Sequence, residues 1–167
     1  IDGHLAAEDT VDVAAIEALA RAQCEGDPLS QRLARALGGA QRLLAPLRLL
    51  PLPPPLTFKL SVMREQRPEL LAHSVRTMLV ALYLGMRSGW GERQCAPLAA
   101  AALLHDIGEL HMDPVWRDRE QKITGAGRKH LVVHPVTAML IVRALQAYPR
   151  SVGEAVFEHH ERMDGTG

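Results

Sequence analysis

The stretch Pro68–Arg87, PELLAHSVRTMLVALYLGMR, constrains the fold more than any other part of the sequence. Leu71, Val75, Met78, Leu79, Leu82 and Met86 recur at three- and four-residue spacings, which lines them up on one stripe of a helix. Pro68 fits the first turn, where a missing N–H leaves no intrahelical bond unmade. Such a stripe must be buried against something, and the rest of the chain offers mainly helices. Residues 11–23, VDVAAIEALARAQ, are alanine-rich and apolar at helical spacing, with Asp9 and Thr10 as candidate caps. Residues 30–50 read as a second helical stretch, weakened at Gly38-Gly39 and Pro46. Residues 96–104, APLAAAALL, are apolar on every side and predict a fully buried helix. Pro135 opens another helix, PVTAMLIVRALQAY, and a last one, SVGEAVFEHHERM, is stopped by DGTG. Aromatic residues are only 4% of the chain, so Leu, Ala, Val and Met must build the core. That composition suits helices better than sheets, and no period-2 alternation competes. The predicted class is an all-α helical bundle.

The run PLPPPLT, Pro51–Thr57, interrupts this pattern and reads as extended polyproline structure. It divides the chain into residues 1–57, an N-terminal helical region ending in a Pro-rich connector, and residues 58–167. The apolar residues 41–50 favour packing against another element or a second subunit, so a homodimer is one expectation. The N-terminal part also reads as the tail of a sensor or receiver domain. Lys and Arg number 19, as do Asp and Glu, leaving no basic surface for a nucleic-acid polymer or an anionic membrane. No run approaches the ~18 apolar residues of a membrane span. Cys24 and Cys95 are isolated, which suits a reducing, cytoplasmic setting. The opening at Ile1 and the stop at Gly167 read as a piece of a longer chain.

The chemistry lies in the histidines. His73, His105, His134, His159 and His160 recur a few tens of residues apart, about the length of a helix and its return in a bundle. Glu69 and His73 are four apart and share a helical face. His105-Asp106 ends the apolar helix with a nitrogen and an oxygen donor. An acid beside the negative end of a helix dipole, at the foot of so apolar a segment, requires a positive partner. His159 and His160, placed on a helix, point about 100° apart. That disposition suits two ions, or one ion and a substrate. Imidazole and carboxylate without thiolate fit iron, manganese, zinc or nickel better than a structural zinc. His4 and His111 read as ordinary polar residues, while His130, four before His134, is a further ligand candidate.

Two segments carry a family resemblance: LLHDIG (Leu103–Gly108) and HHERMDGTG (His159–Gly167). With His134-Pro135 and ELLAHSVRT, they resemble the HD superfamily of metal-dependent phosphohydrolases, and within it the HD-GYP family, over about residues 60–167. The resemblance implies an HD-domain helical bundle around two or three divalent ions, iron or manganese first. It implies hydrolysis of cyclic di-GMP to pGpG or GMP in bacterial second-messenger signalling. By motif, His73, His105, Asp106, His134, His159 and His160 would be metal ligands, with Glu69 a further one in three-metal members. Gly165, Thr166 and Gly167 would form the signature loop near the substrate. Divalent ions polarise phosphoryl oxygens and lower the pKa of water, and Asp106 is placed to hold the ions or orient that water.

Glu109 stands where active members carry Lys, so an anion replaces a phosphate-facing cation. Asp106 and Glu109 are therefore the positions through which catalysis is read. Glu109 motivates a second reading, a non-catalytic signalling module of the same fold. A third reading is an HD phosphohydrolase acting on other nucleotides.

Overall fold

A computed structural model describes residues 10–112, 125 and 132–166. Among them it contains eight α-helices, two 3-10 segments and no strand, so the all-α expectation holds. The chain divides into two compact units, Ile1–Leu103 and Leu104–Gly167.

In the first unit, α1 (Val13–Gly26) is capped by Asp12, whose Oδ1 accepts from the Ala15 N–H at 2.8 Å. The cap thus falls two residues beyond Thr10. Asp27 ends α1 and starts α2 (Pro28–Ala36), accepting from Ser30 N at 2.9 Å. The predicted 30–50 helix is broken where Gly38 and Gly39 take φ values of 88° and 128°, which side chains resist. It resumes as α3 (Ala40–Leu44) and a 3-10 segment, Ala45–Leu49, carrying Pro46.

The proline run departs from expectation. Helix α4 begins inside it and spans Pro54–Gln66, with prolines in its first turn. The first N–H groups of a helix have no intrahelical partner, so Pro54 and Pro55 sacrifice no bond there. Leu56 N instead bonds the Pro53 carbonyl at 2.8 Å.

Helix α5 (Pro68–Arg87) carries the stripe predicted for it. Leu71, Val75, Met78, Leu79 and Leu82 are buried, and Met86 is partly so. They join Ile16, Leu43, Leu56, Leu60 and Met63 from the other helices in an aliphatic core. Helix α6 (Glu92–Leu104) meets α5 at Gly85, where an added Cβ would lie 3.0 Å from Leu98 Cδ2 and 3.2 Å from Cys95 Sγ. Ala99, Ala100 and Leu103 are fully buried, as an all-apolar helix requires.

The second unit is smaller. It contains a 3-10 segment, Ile107–His111, then α7 (His134–Ala144) and α8 (Arg150–Phe157). Ile107, Ala138, Val142, Val152 and Val156 form its core. Gly153 lets α8 approach α7, since a Cβ there would lie 2.7 Å from Arg143 Cγ.

Candidate metal centre

The second unit gathers five of the predicted residues. The chain leaves α6 at Leu104, and His105-Asp106 occupy the turn before the Ile107–His111 segment. His134 stands at the first position of α7, with Pro135 directly behind it. His159 and His160 do not lie on a helix: α8 ends at Phe157, and both belong to the following turn. This corrects the expected helix SVGEAVFEHHERM and the 100° separation inferred from it. Released from helical geometry, the two rings lie with centroids 4.1 Å apart and face a common point.

That point is defined by donor atoms. One atom each from Asp106, His134, His159 and His160 falls within 4.8 Å of all the others. The inner three form a triangle. Asp106 Oδ1 lies 3.3 Å from His134 Nε2 and 3.4 Å from His159 Nε2, and the two nitrogens are 3.2 Å apart. His105 closes the other side of the carboxylate, with Nε2 2.9 Å from Asp106 Oδ2. His105, Asp106 and His134 are all buried, although only apolar residues are usual at such depth.

The hydrogen-bond inventory shows why the triangle suits a cation. His159 Nδ1 lies 2.7 Å from the Val156 carbonyl oxygen, which only an Nδ1–H can satisfy. In the neutral ring its Nε2 is then a bare lone pair. It faces an ionised carboxylate oxygen and a second imidazole nitrogen, and at most one proton is shared among three acceptors. A divalent ion satisfies all three at once. Donors held ~2.0–2.2 Å from one tetrahedral ion stand about 3.4 Å from one another. The observed edges match that span.

Electrostatics favours the deprotonated ligand set. Burial is the largest single influence on Asp106 and pushes its carboxyl up. The surrounding His105, His134 and His159 side chains together outweigh it and hold the group well below the usual carboxylate range. Burial, followed by the nearby His159 and His134 rings, pushes the His160 imidazole below its ordinary value. His160 therefore stays neutral and able to donate its lone pair at neutral pH.

Gly108 holds the two halves of the centre together. A Cβ on it would collide with the His134 carbonyl oxygen and lie 2.9 Å from Ala138 N. The segment after Asp106 packs directly on the first turn of α7, fixing His134 against the carboxylate.

The other predicted residues are placed as follows. Glu69 and His73 lie one turn apart at the start of α5, in the first unit, and both are exposed. Glu69 Oε1 accepts from Arg67 Nε at 2.7 Å. Glu109 is half-buried in the Ile107–His111 segment, and His111 at its end is exposed. Gly165 takes a φ of 74°, and Thr166 turns back to bond Asp164 Oδ1 through its N–H and hydroxyl at 3.1 and 2.7 Å. Gly167, His4 and His130 lie outside the described residues. Sequence reasoning missed the Val156 carbonyl, which carries no residue-type signal, and the contact role of Gly108 within a motif it had already quoted.

Comparison with known proteins gives the family. A family model described as HD domain matches residues 60–167. The chain belongs to the HD-domain family. It is also 27% identical over 97 residues to a cyclic di-GMP phosphodiesterase, PdeB, from Borreliella burgdorferi. That match covers 58% of the chain and 25% of the relative, so the chain spans about a quarter of the curated relative it matches. No solved structure matches significantly. No helix among the described residues is long and apolar enough to cross a membrane.

Proposed function

We propose that this HD-domain chain belongs to a metal-dependent phosphodiesterase that hydrolyses cyclic di-GMP to pGpG or GMP. One observation carries the reading: Asp106, His134, His159 and His160 bring their donor atoms within 4.8 Å of one another around a buried carboxylate. The HD-domain match supports a phosphohydrolase, and the name of the relative supports the substrate.

In this reading Asp106, His134, His159 and His160 hold a first divalent ion, with His105 against the second Asp106 oxygen. Glu69 and His73 are further ligands, for two or three ions in all, iron or manganese before zinc or nickel. Bound divalent ions supply Lewis-acid polarisation of a phosphoryl oxygen and a lowered pKa for water. The protein's own contribution is preorganisation. Asp106 remains ionised, the Val156 carbonyl fixes the His159 tautomer, and burial keeps water from screening the charges. Gly165 and Thr166 belong to the loop assigned to the substrate side, and Gly167 is assigned to it by motif alone.

The test is product formation. The full-length protein loaded with Mn(II) or Fe(II) is expected to convert cyclic di-GMP to pGpG or GMP, and chelation should abolish turnover. No turnover in metal-loaded protein would overturn the substrate assignment. Turnover of other nucleotides alone, in the same panel, would replace it with a different phosphohydrolase activity.

Glu109 favours one alternative, a signalling module of the same fold that has lost catalysis. A half-buried anion three residues beyond Asp106 repels a phosphodiester. A Glu109→Lys variant that gains activity over an inactive parent would establish that alternative, whereas robust parental activity removes it.

A further inference from the structure

The even overall balance of acids and bases conceals a lopsided stretch in the first unit. No Asp or Glu occurs between Asp27 and Glu65, while the same interval holds Arg32, Arg35, Arg42, Arg48, Lys59 and Arg64. Lys59 and Arg64, on α4, already have partners. The other four are exposed, and none of them forms an ion pair among the described residues. Arg35 Nη2 stands 3.5 Å from Gln31 Oε1, a neutral group. Asp27, the acid at the start of the interval, is held by Ser30 and stands 3.8 Å from Arg76.

These four arginines share one side of the unit. On α2, Ser30 and Ala34 are buried, while Leu29, Arg32 and Arg35 follow one another at three-residue steps along the exposed face. Helix α3 runs straight on into the Ala45–Leu49 segment. Arg42 and Arg48, close to two turns apart, therefore lie on the same exposed side of that rod, with Leu43, Leu44 and Leu47 buried beneath them. Both α2 and α3 pack on the same two helices, α1 and α5, so the faces they turn away from that pair look the same way. Leu29 and Leu49, beside these arginines in the chain, are 47% and 48% exposed. A single exposed leucine is ordinary, but two of them among four unopposed guanidinium groups make a surface that is basic and apolar together.

We propose that this face docks on an anionic lipid membrane, with Arg32, Arg35, Arg42 and Arg48 at the headgroup phosphates and Leu29 and Leu49 entering the acyl boundary. The partner follows from both halves of the surface. A duplex nucleic acid would engage the arginines and leave the leucines in water, whereas a bilayer interface takes charge and apolar side chains at once. Arginine suits the headgroup because its planar fork bonds two phosphate oxygens through parallel N–H groups. Four charges and two leucines give reversible association rather than an anchor. The surface belongs to the first unit alone and does not depend on the phosphodiesterase reading.

Co-sedimentation of the full chain with lipid vesicles tests this, using phosphatidylcholine alone and phosphatidylcholine with about 30% phosphatidylglycerol as the anionic component. Binding is expected to the anionic vesicles only. Raising the salt from ~0.1 M to ~1 M should release the chain, because the screening length falls from ~10 Å to ~3 Å. Each arginine near such a surface is worth roughly fivefold in affinity, so Arg32→Glu combined with Arg48→Glu should weaken binding by at least ~25-fold. Leu49→Ser should weaken it as well, through the apolar contact. No binding to the anionic vesicles, equal binding to both kinds, or binding unchanged in the arginine pair would each overturn the proposal. Binding to duplex DNA in place of the vesicles would assign the surface to nucleic acid and overturn it likewise. The lipid and salt comparisons use the unaltered chain, so they decide the question even if a variant does not fold.

Discussion

Asp106 sits under opposing influences, and the balance has a measurable pH signature. Burial raises its carboxyl pKa while the three imidazoles around it lower it further than burial lifts it. A carboxyl depressed in the fold contributes stability above its unfolded pKa of ~3.9 and loses it as pH falls below that value. His160 is depressed as well, mainly by burial. Its sign is the same: on acidification the unfolded chain takes up the proton first. Its stability loss opens near pH ~6.5 and closes at the lower, folded pKa. Metal-free protein should therefore lose thermal stability between pH 7 and the mid-acid range, and His160→Gln should lose less over that interval. Parallel melting curves across that range for the two proteins would contradict the lowered pKa of His160. At this scale the sequence was informative wherever chemistry restricts residue type. His105-Asp106, His134 and His159-His160 were all legible, because few residues donate to a hard or borderline cation. The Val156 carbonyl was not, because any residue in that place supplies one.

Among the elements, the decisive contact is the one between the Ile107–His111 segment and the first turn of α7. Gly108 permits it, as a side chain would strike the His134 carbonyl. Gly108→Ala should cost ~1–3 kcal/mol by overpacking. It should also weaken metal affinity by about 10–100-fold, the range seen when outer partners of metal ligands are lost. Denaturant unfolding and metal titration on the same samples check both effects, and undiminished metal affinity would refute the positioning role. Helix stripes were readable because burial imposes a 3.6-residue period, as the buried Leu71, Val75, Met78, Leu79 and Leu82 show. Helix ends were harder. Pro54 and Pro55 resemble breakers in the sequence, yet the first turn tolerates them. The last helix stops at Phe157 rather than Met163. Nothing in FEHHERM marks that end, because the turn at His159 is selected by tertiary convergence rather than by local propensity.

For the molecule as a whole, metal and fold are thermodynamically linked. A ligand that binds only the folded state adds RT ln(1 + [L]/Kd), ~2.7 kcal/mol at a hundredfold excess over Kd. Mn(II) should therefore raise the melting temperature of the metal-free protein, and a chelator should reverse the gain. An unchanged melting temperature at saturating Mn(II) would show that the cluster is not built for a cation. The all-α class was evident from composition and period together, with few aromatics and no alternation. The division at Leu103/Leu104 was not, because it falls inside the last turn of helix α6, with no linker sequence to mark it.

Asp106, His134, His159 and His160 are proposed to hold a divalent ion. Mn(II) titration followed by electron paramagnetic resonance, on wild-type protein and on Asp106→Ala, tests it most directly. Saturable binding by the wild type is predicted, weakened by more than about 100-fold in the variant, beyond the loss typical of outer partners. Equal Mn(II) binding by the two proteins, or none by either, would contradict the account.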